Sequence, residues 1–242
     1  MSSSPSSPPA SSPGSNTGSG PTGIKGTTWL VTGAARGLGL CLTRKLAEKG
    51  AKVLALSRQV GPLAGLPGVT HVPFDQSDTA SIAAAARSLV GPIDHVIHNA
   101  AVRGDTGGLA TFSAADLAQV MQINVAGPLL LTRELLPRLS PNATIAFISS
   151  RAGSFAEGHD PDGDYAYCLS KSAVNRAVAK LADDLPHRVV AIHPGWISTD
   201  MGGPEAPDSP DHAAGRIIDL LSGPDRLASG SFCDACGRPI RP

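Results

Sequence analysis

Residues 27–39 read TTWLVTGAARGLG. Trp29 to Thr32 form a short apolar, β-branched run that predicts a buried strand. Gly33, Gly37 and Gly39 then punctuate a sharp turn, and Leu38, Leu42 and Leu46 recur behind it at helical spacing. Strand, glycine turn and helix in that order make a place for a dinucleotide pyrophosphate. Glycine lets the backbone approach the phosphates without a Cβ in the way, and the helix N-terminus aims unpaired N–H groups and a positive dipole end at them.

The strand–turn–helix unit repeats along the chain. Lys52 to Ser57, Val69 to Pro73, Ile93 to His98, Thr144 to Ser149, Val189 to His193 and Gly230 to Phe232 predict six further strands. Helical patterns fill the intervals over Thr79 to Leu89, Ala114 to Leu139 (with Gly127 and Pro128 inside it), Tyr165 to Asp184 and Asp211 to Leu221. Alternation of this kind implies right-handed βαβ crossovers and a mostly parallel seven-stranded sheet covered by helices on both faces: an α/β, doubly wound, single-domain architecture over residues 25–242.

Composition narrows the function. The chain has 242 residues, with 20 Lys plus Arg against 20 Asp plus Glu. Charge of this balance offers no basic stripe for nucleic acid. No apolar run reaches the ~18 residues a membrane helix needs. Four scattered cysteines, Cys41, Cys168, Cys233 and Cys236, do not make a disulfide framework, so a cytoplasmic protein is expected. Residues 1–24 are mostly Ser, Pro, Gly and Thr with no charged side chain, too poor in apolar groups to offset their ordering entropy, which predicts a disordered tail. The tail lacks the basic and apolar regions of a secretory leader and the arginines of a mitochondrial one. A plastid leader is the one targeting alternative, and the plain tail fits better.

The glycine spacing, Thr32-Gly33-x-x-x-Gly37-x-Gly39, resembles that of the short-chain dehydrogenase/reductase family, which has a Rossmann fold. Further motifs carry the same resemblance. Tyr167 and Lys171 stand at i and i+4, on one face of a helix, where an ammonium lowers the pKa of a phenol towards the working range. Tyr165 has Leu169 at that spacing instead. Ser150 precedes Arg151-Ala152-Gly153 at the end of a strand, and Asn124 sits mid-helix, where asparagine is a mediocre helix former. The resemblance implies that Tyr167 exchanges a proton with the substrate oxygen, Ser150 holds that oxygen, Lys171 also binds the nicotinamide ribose, and Asn124 connects the lysine to a water relay.

The remaining motifs concern the cofactor. By resemblance Gly33, Ala35, Arg36, Gly37, Leu38 and Gly39 form the pyrophosphate turn. Asp75 meets the adenine, Asn99 and Ala100 the ribose side, and Pro194, Gly195, Trp196, Ile197 and Thr199 the nicotinamide end. His98 and Ala101 depart from the family's Asn-Asn-Ala-Gly. The second strand ends Leu56-Ser57-Arg58-Gln59 with no acid. An acidic residue there binds the ribose hydroxyls of NAD and repels a 2′-phosphate, whereas Arg58, with Arg36 before the second glycine, offers charge-assisted hydrogen bonds to it. NADP(H) is therefore expected over NAD(H). The wording HPGWISTDMGG resembles the sniffer-type carbonyl reductases and C-signal proteins of that family.

The expectation is an oxidoreductase moving hydride between the nicotinamide and a carbonyl or secondary alcohol, with no metal, nucleic acid or membrane partner. The resemblance adds a homodimer or homotetramer. A non-catalytic redox sensor or signalling protein on the same fold is the alternative. Cys233-Asp-Ala-Cys236 lacks a second ligand pair for zinc and the helix N-terminus of a redox motif. Cys168 is expected to face the core, on another side of its helix from Tyr167. Asp160, Asp162 and Asp164 alternate like a calcium loop, but Lys171 stands where that loop needs its glutamate, which favours a solvated loop shaping access to the pocket.

Overall fold

Along β1 (Thr28–Thr32) the side chains alternate, Trp29 and Val31 to one face of the sheet and Leu30 to the other, and all three are fully buried. A strand apolar on both faces belongs in the middle of a parallel sheet. The computed structural model, which describes residues 23–158, 164–223 and 227–242, places it there. The sheet has seven strands in the order β3-β2-β1-β4-β5-β6-β7, every pair parallel. They are β2 (Lys52–Ser57), β3 (Val69–Pro73), β4 (Ile93–His98), β5 (Leu139–Ile148), β6 (Arg188–His193) and β7 (Phe232–Asp234). The tail expected over 1–24 lies outside the described residues apart from 23 and 24, as do His159, Asp160 and Asp162 of the acidic loop.

Helices α1 (Gly37–Glu48) and α6 (Pro210–Ser222) cover one face, packing Leu38, Leu42, Leu46, Ile217 and Ile218 on Trp29, Val31, Val190 and Ile192. On the other face, α2 (Thr79–Ser88), α4 (Gly127–Leu135) and α5 (Tyr165–Asp184) pack Ile82, Leu131, Leu135, Val174 and Val178 on Leu30, Val96, Ile145 and Val189. The crossing from strand order 2-1 to 1-4 puts a crevice beyond the C-terminal ends of β1 and β4, the place where open α/β sheets take ligands.

Three stretches differ from the sequence reading. The helix expected over Ala114 to Leu139 is α3 (Ala114–Met121), a π-helical turn (Gln122–Ala126) and α4, ending in a 3₁₀ turn (Leu136–Arg138) that contains Pro137. Pro128 has no N–H for the carbonyl of Asn124 four residues earlier, so the regular ladder cannot run through this point. Strand β5 starts at Leu139 rather than Thr144, with a register shift against β4 between Ile93 and His95, and Ser140 Oγ donates to Asp94 Oδ1 at 2.6 Å. Strand β7 lies two residues later than expected. Gly230, at φ +85°, and Ser231, whose hydroxyl bonds to the Ala228 carbonyl, form a turn, and Cys233 is inside the strand and buried.

His98 closes β4 as a buried side chain. Its Nε2 lies 2.9 Å from Thr132 Oγ1, its ring tilts against Phe147 and its Nδ1 has no hydrogen-bond partner among the described residues. Burial pushes its pKa down to about 3, and burial likewise lowers His193 to about 4. Because the folded-state pKa lies below the unfolded one, the stability contribution is complete above pH ~6.5 and is lost as pH falls through that value towards 3. On the order of 2 kcal/mol is lost from His98 alone between pH 6.5 and pH 4.5. Thermal melts across this range are expected to show a shallower decline of Tm for His98→Asn than for the parent, with His193 and His187, both also lowered by burial, contributing to the remaining slope. Parallel curves would contradict this account.

Candidate active site

The turn after β1 is held by its own backbone. Gly33 and Gly37 have φ of +66° and +50°, a region that disfavours side chains. Gly39 is at ordinary φ, but a Cβ there would lie 2.2 Å from the Gly33 carbonyl and 2.7 Å from Asn99 Nδ2. Only glycine lets α1 start this close to the strand end. Arg36 caps α1 without a side-chain hydrogen bond, and no acidic residue stands in the first turn, so the N–H groups there face the crevice unmet by side chains. That arrangement fits an anionic diphosphate.

The crevice is a cleft of about 1290 Å³. Gly33, Ala35, Gly37 and Leu38 form its floor with Arg36 at the rim beside them, Ser57, Arg58 and Asp75 one end, and Asn99 and Ala100 a wall. Ser150, Tyr167 and Lys171 lie at the other end with Pro194, Gly195, Trp196, Ile197 and Thr199. Gly39 and Asn124 are not among the residues that line the cleft.

Several side chains have partners that the sequence did not reveal. Asn99 staples β4 to β1: its Nδ2 donates to the Thr32 carbonyl at 3.0 Å, and Thr32 Oγ1 accepts from the amides of residues 99 and 100. Asp75 binds the amide and hydroxyl of Ser77, which lowers its pKa, with Arg58 adding a smaller downward pull. Arg36, expected to project towards a 2′-phosphate, is paired with Asp200 at 3.1 Å. Gln76 donates to the carbonyls of Ala100 and Ile123, the latter at 2.7 Å beside the π-helical turn. It packs where a Cβ on Gly127 would come 2.5 Å from its Cγ.

At the reacting end, Lys171 is buried and donates from Nζ to the Ile148 carbonyl at 2.8 Å, 5.4 Å from the centroid of the Tyr167 ring. Desolvation pushes Lys171 down to about 8. The same burial pushes the Tyr167 phenol up to about 12, opposed by a hydrogen bond with Ser150 and weakly by Arg103. The downward shift expected from the lysine is not seen: burial dominates, and the groups that pull the phenol down are Ser150 and Arg103. Ser150 Oγ also accepts from the Ala152 amide at 3.1 Å, so it caps the turn and faces the phenol at once. Its neighbour Ser149 points inward to Asn175 Oδ1, 2.6 Å away. Tyr165 is half exposed and meets Phe112 edge-on, away from Lys171.

Asn124 is buried and clamps two elements. Its Oδ1 accepts from the Val102 amide at 2.9 Å, and its Nδ2 donates to the Val102 carbonyl and to Ser170 Oγ. Asp164, from the acidic loop, is 1% exposed and accepts from Arg103 Nε at 2.6 Å beside Tyr167. This pair, 61 residues apart, had no sequence signal. Cys168, expected in the core, is half-buried with Sγ 3.4 Å from Asp164 Oδ1. Burial raises Cys233 to about 12 while Cys236 is exposed, and all four cysteines are free thiols.

The comparisons with known proteins follow this geometry. Residues 27–210 match the family described as short chain dehydrogenase. C-signal of Myxococcus xanthus is 41% identical over 164 residues, covering 64% of this chain and 96% of that protein. Among solved structures, the NADPH-bound carbonyl reductase from chicken fatty liver superposes with a TM-score of 0.82 at 28% identity, covering 90% of this chain and 99% of that one. The carbonyl reductase Sniffer of D. melanogaster gives 0.81 at 25% identity over 90% and 99%. With the match extending from the first strand to the start of the last helix, and the sheet order and glycine turn in agreement, this chain belongs to the short-chain dehydrogenase family of oxidoreductases.

Proposed function

We propose that the chain is an NADP(H)-dependent oxidoreductase that interconverts a carbonyl compound and its secondary alcohol. The observation that carries this reading is the gathering of Ser150, Tyr167 and Lys171 at one end of a cleft whose floor is the glycine turn. The cofactor, when bound, supplies or accepts the hydride at its nicotinamide ring. The protein handles the proton and the orientation. Ser150 hydrogen-bonds the substrate oxygen and Tyr167 gives it a proton as the alcohol forms, or takes one in the reverse direction. Lys171 holds the ribose and places a positive charge beneath the phenol. Positive charge from Lys171, and from an oxidised nicotinamide if bound, would oppose the upward push of burial on Tyr167. Asn124 keeps the wall behind Lys171 in place through Val102 and Ser170.

Preference for the phosphorylated cofactor rests on the end of β2, where Ser57, Arg58 and Gln59 provide a guanidinium and no carboxylate. Arg58 is exposed at the adenosine end of the cleft, within the electrostatic reach of Asp75. The partners on this reading are a small carbonyl or alcohol and further copies of the chain, in a cytoplasmic setting that suits free thiols. A second reading, favoured by the identity to a protein named C-signal, is a signalling protein on the same fold.

Replacing Tyr167 with Phe is expected to lower kcat by about 100-fold or more in NADPH-consuming assays with aldehydes, ketones and quinones, while the Kd for NADPH changes by less than about twofold. Undiminished turnover would remove Tyr167 from the mechanism. A parent protein that binds NADPH but reduces none of the panel would favour the signalling reading. Separately, Arg58→Ala is expected to weaken NADPH by about 10-fold or more and NADH hardly at all, since a charged hydrogen bond contributes roughly 1.5–3 kcal/mol. Equal losses for both cofactors would mean that Arg58 does not read the phosphate.

A further inference from the structure

The pair formed by Arg36 and Asp200 joins the two rims of the cleft. Arg36 Nη1 lies 3.1 Å from Asp200 Oδ2, across 164 residues of sequence. The side chains are 68% and 81% exposed, and both residues line the cleft. An ion pair so open to water contributes only about 0–1 kcal/mol to the fold. Its significance lies in where it is and in how firmly the carboxylate is presented.

Asp200 rides on a turn that is tied to itself. The Trp196 indole donates to the Gly202 carbonyl at 2.7 Å, the Gly202 amide to Thr199 Oγ1 at 3.2 Å and the Gly203 amide to the Thr199 carbonyl at 2.9 Å. The base of the loop is closed as well. The Ser198 amide donates to the Asp208 carbonyl at 2.8 Å, and the Asp208 carboxylate pairs with Arg216, whose guanidinium also reaches the Pro194 carbonyl at 3.4 Å. On the opposite rim, Arg36 is set by the glycine turn itself. A Cβ on Gly37 would stand 3.4 Å from Thr199 Cγ2, so the rims are already near contact beside the ion pair.

A phosphate arriving at this turn meets a guanidinium that already has a carboxylate. We propose that Asp200 is an internal competitor for Arg36. Its carboxylate latches the two rims in the free protein, and a phosphate of the cofactor displaces it, so that Asp200 sets how tightly the phosphate-bearing cofactor is held. The proposal rests on the reading of the cleft as an NADP(H) site. Competition for one guanidinium differs from simple repulsion by a nearby carboxylate in a testable way, because it vanishes when the guanidinium is removed.

The test is a double-mutant cycle on the full chain, with the Kd of NADPH measured by fluorescence titration at low salt for the parent, Asp200→Asn, Arg36→Ala and the double variant. Asp200→Asn is expected to tighten NADPH by about 2- to 5-fold, in line with the strength of an exposed ion pair. Arg36→Ala is expected to weaken it, and adding Asp200→Asn to Arg36→Ala is expected to change nothing further. An equal tightening in the Arg36→Ala background would show diffuse repulsion and overturn the competition. Unchanged or weaker binding by Asp200→Asn alone would overturn it too, the latter meaning that the pair persists over the bound cofactor. Failure of the parent and all three variants to bind NADPH would overturn the cofactor reading itself, and the latch with it.

Discussion

The closeness of α1 to the end of β1 is the constraint on which the site depends. With the Gly33 carbonyl where a Cβ on Gly39 would have to sit, the first helical turn can begin only on glycine. That contact brings the unmet N–H groups of α1 to the crevice between β1 and β4. Asn99 and Thr32 lock the same point from the neighbouring strand, bonding β4 to β1 where the strand order reverses. The cleft is therefore a consequence of backbone packing, and its charged side chains are added to a frame already fixed.

Burial and charge oppose each other at the reacting end. Lys171 spends one donor on the Ile148 carbonyl and is otherwise enclosed, which lowers its pKa; Tyr167 is enclosed beside it, which raises its own. A phenol held well above neutral pH is a competent proton donor that gives its proton up only when positive charge arrives. Ser150 contributes in the same direction while serving the local backbone as a cap, so one hydroxyl has both a structural and a chemical task. Arg103 and Asp164 add a largely buried ion pair whose two charges act on the phenol in opposite senses.

Support for this end comes from irregular backbone. The π-helical turn around Asn124 frees groups that regular helix would consume, and Gln76 satisfies the Ile123 carbonyl from the notch left by Gly127. Asparagine in mid-helix was a signal of this irregularity, and Pro128 was a second one. Neither told which elements Asn124 would clamp, because Val102 and Ser170 are brought to it by the sheet and by α5.

The sequence by itself determined what is local. Strands β2, β3 and β4 and helix α5 have the bounds that periodicity indicated, and the glycine spacing and the Tyr167–Lys171 step are geometry within one turn or one helix face. Tertiary structure alone decided what depends on distant segments meeting. It paired Arg36 with Asp200 and Arg103 with Asp164, turned Ser149 inward and Ser150 outward, moved the start of β5 to Leu139, and set burial against charge at Tyr167. The physical reason is that periodicity and spacing record only which face a residue occupies on its own element, whereas partners and desolvation are fixed by what the other elements bring to that face.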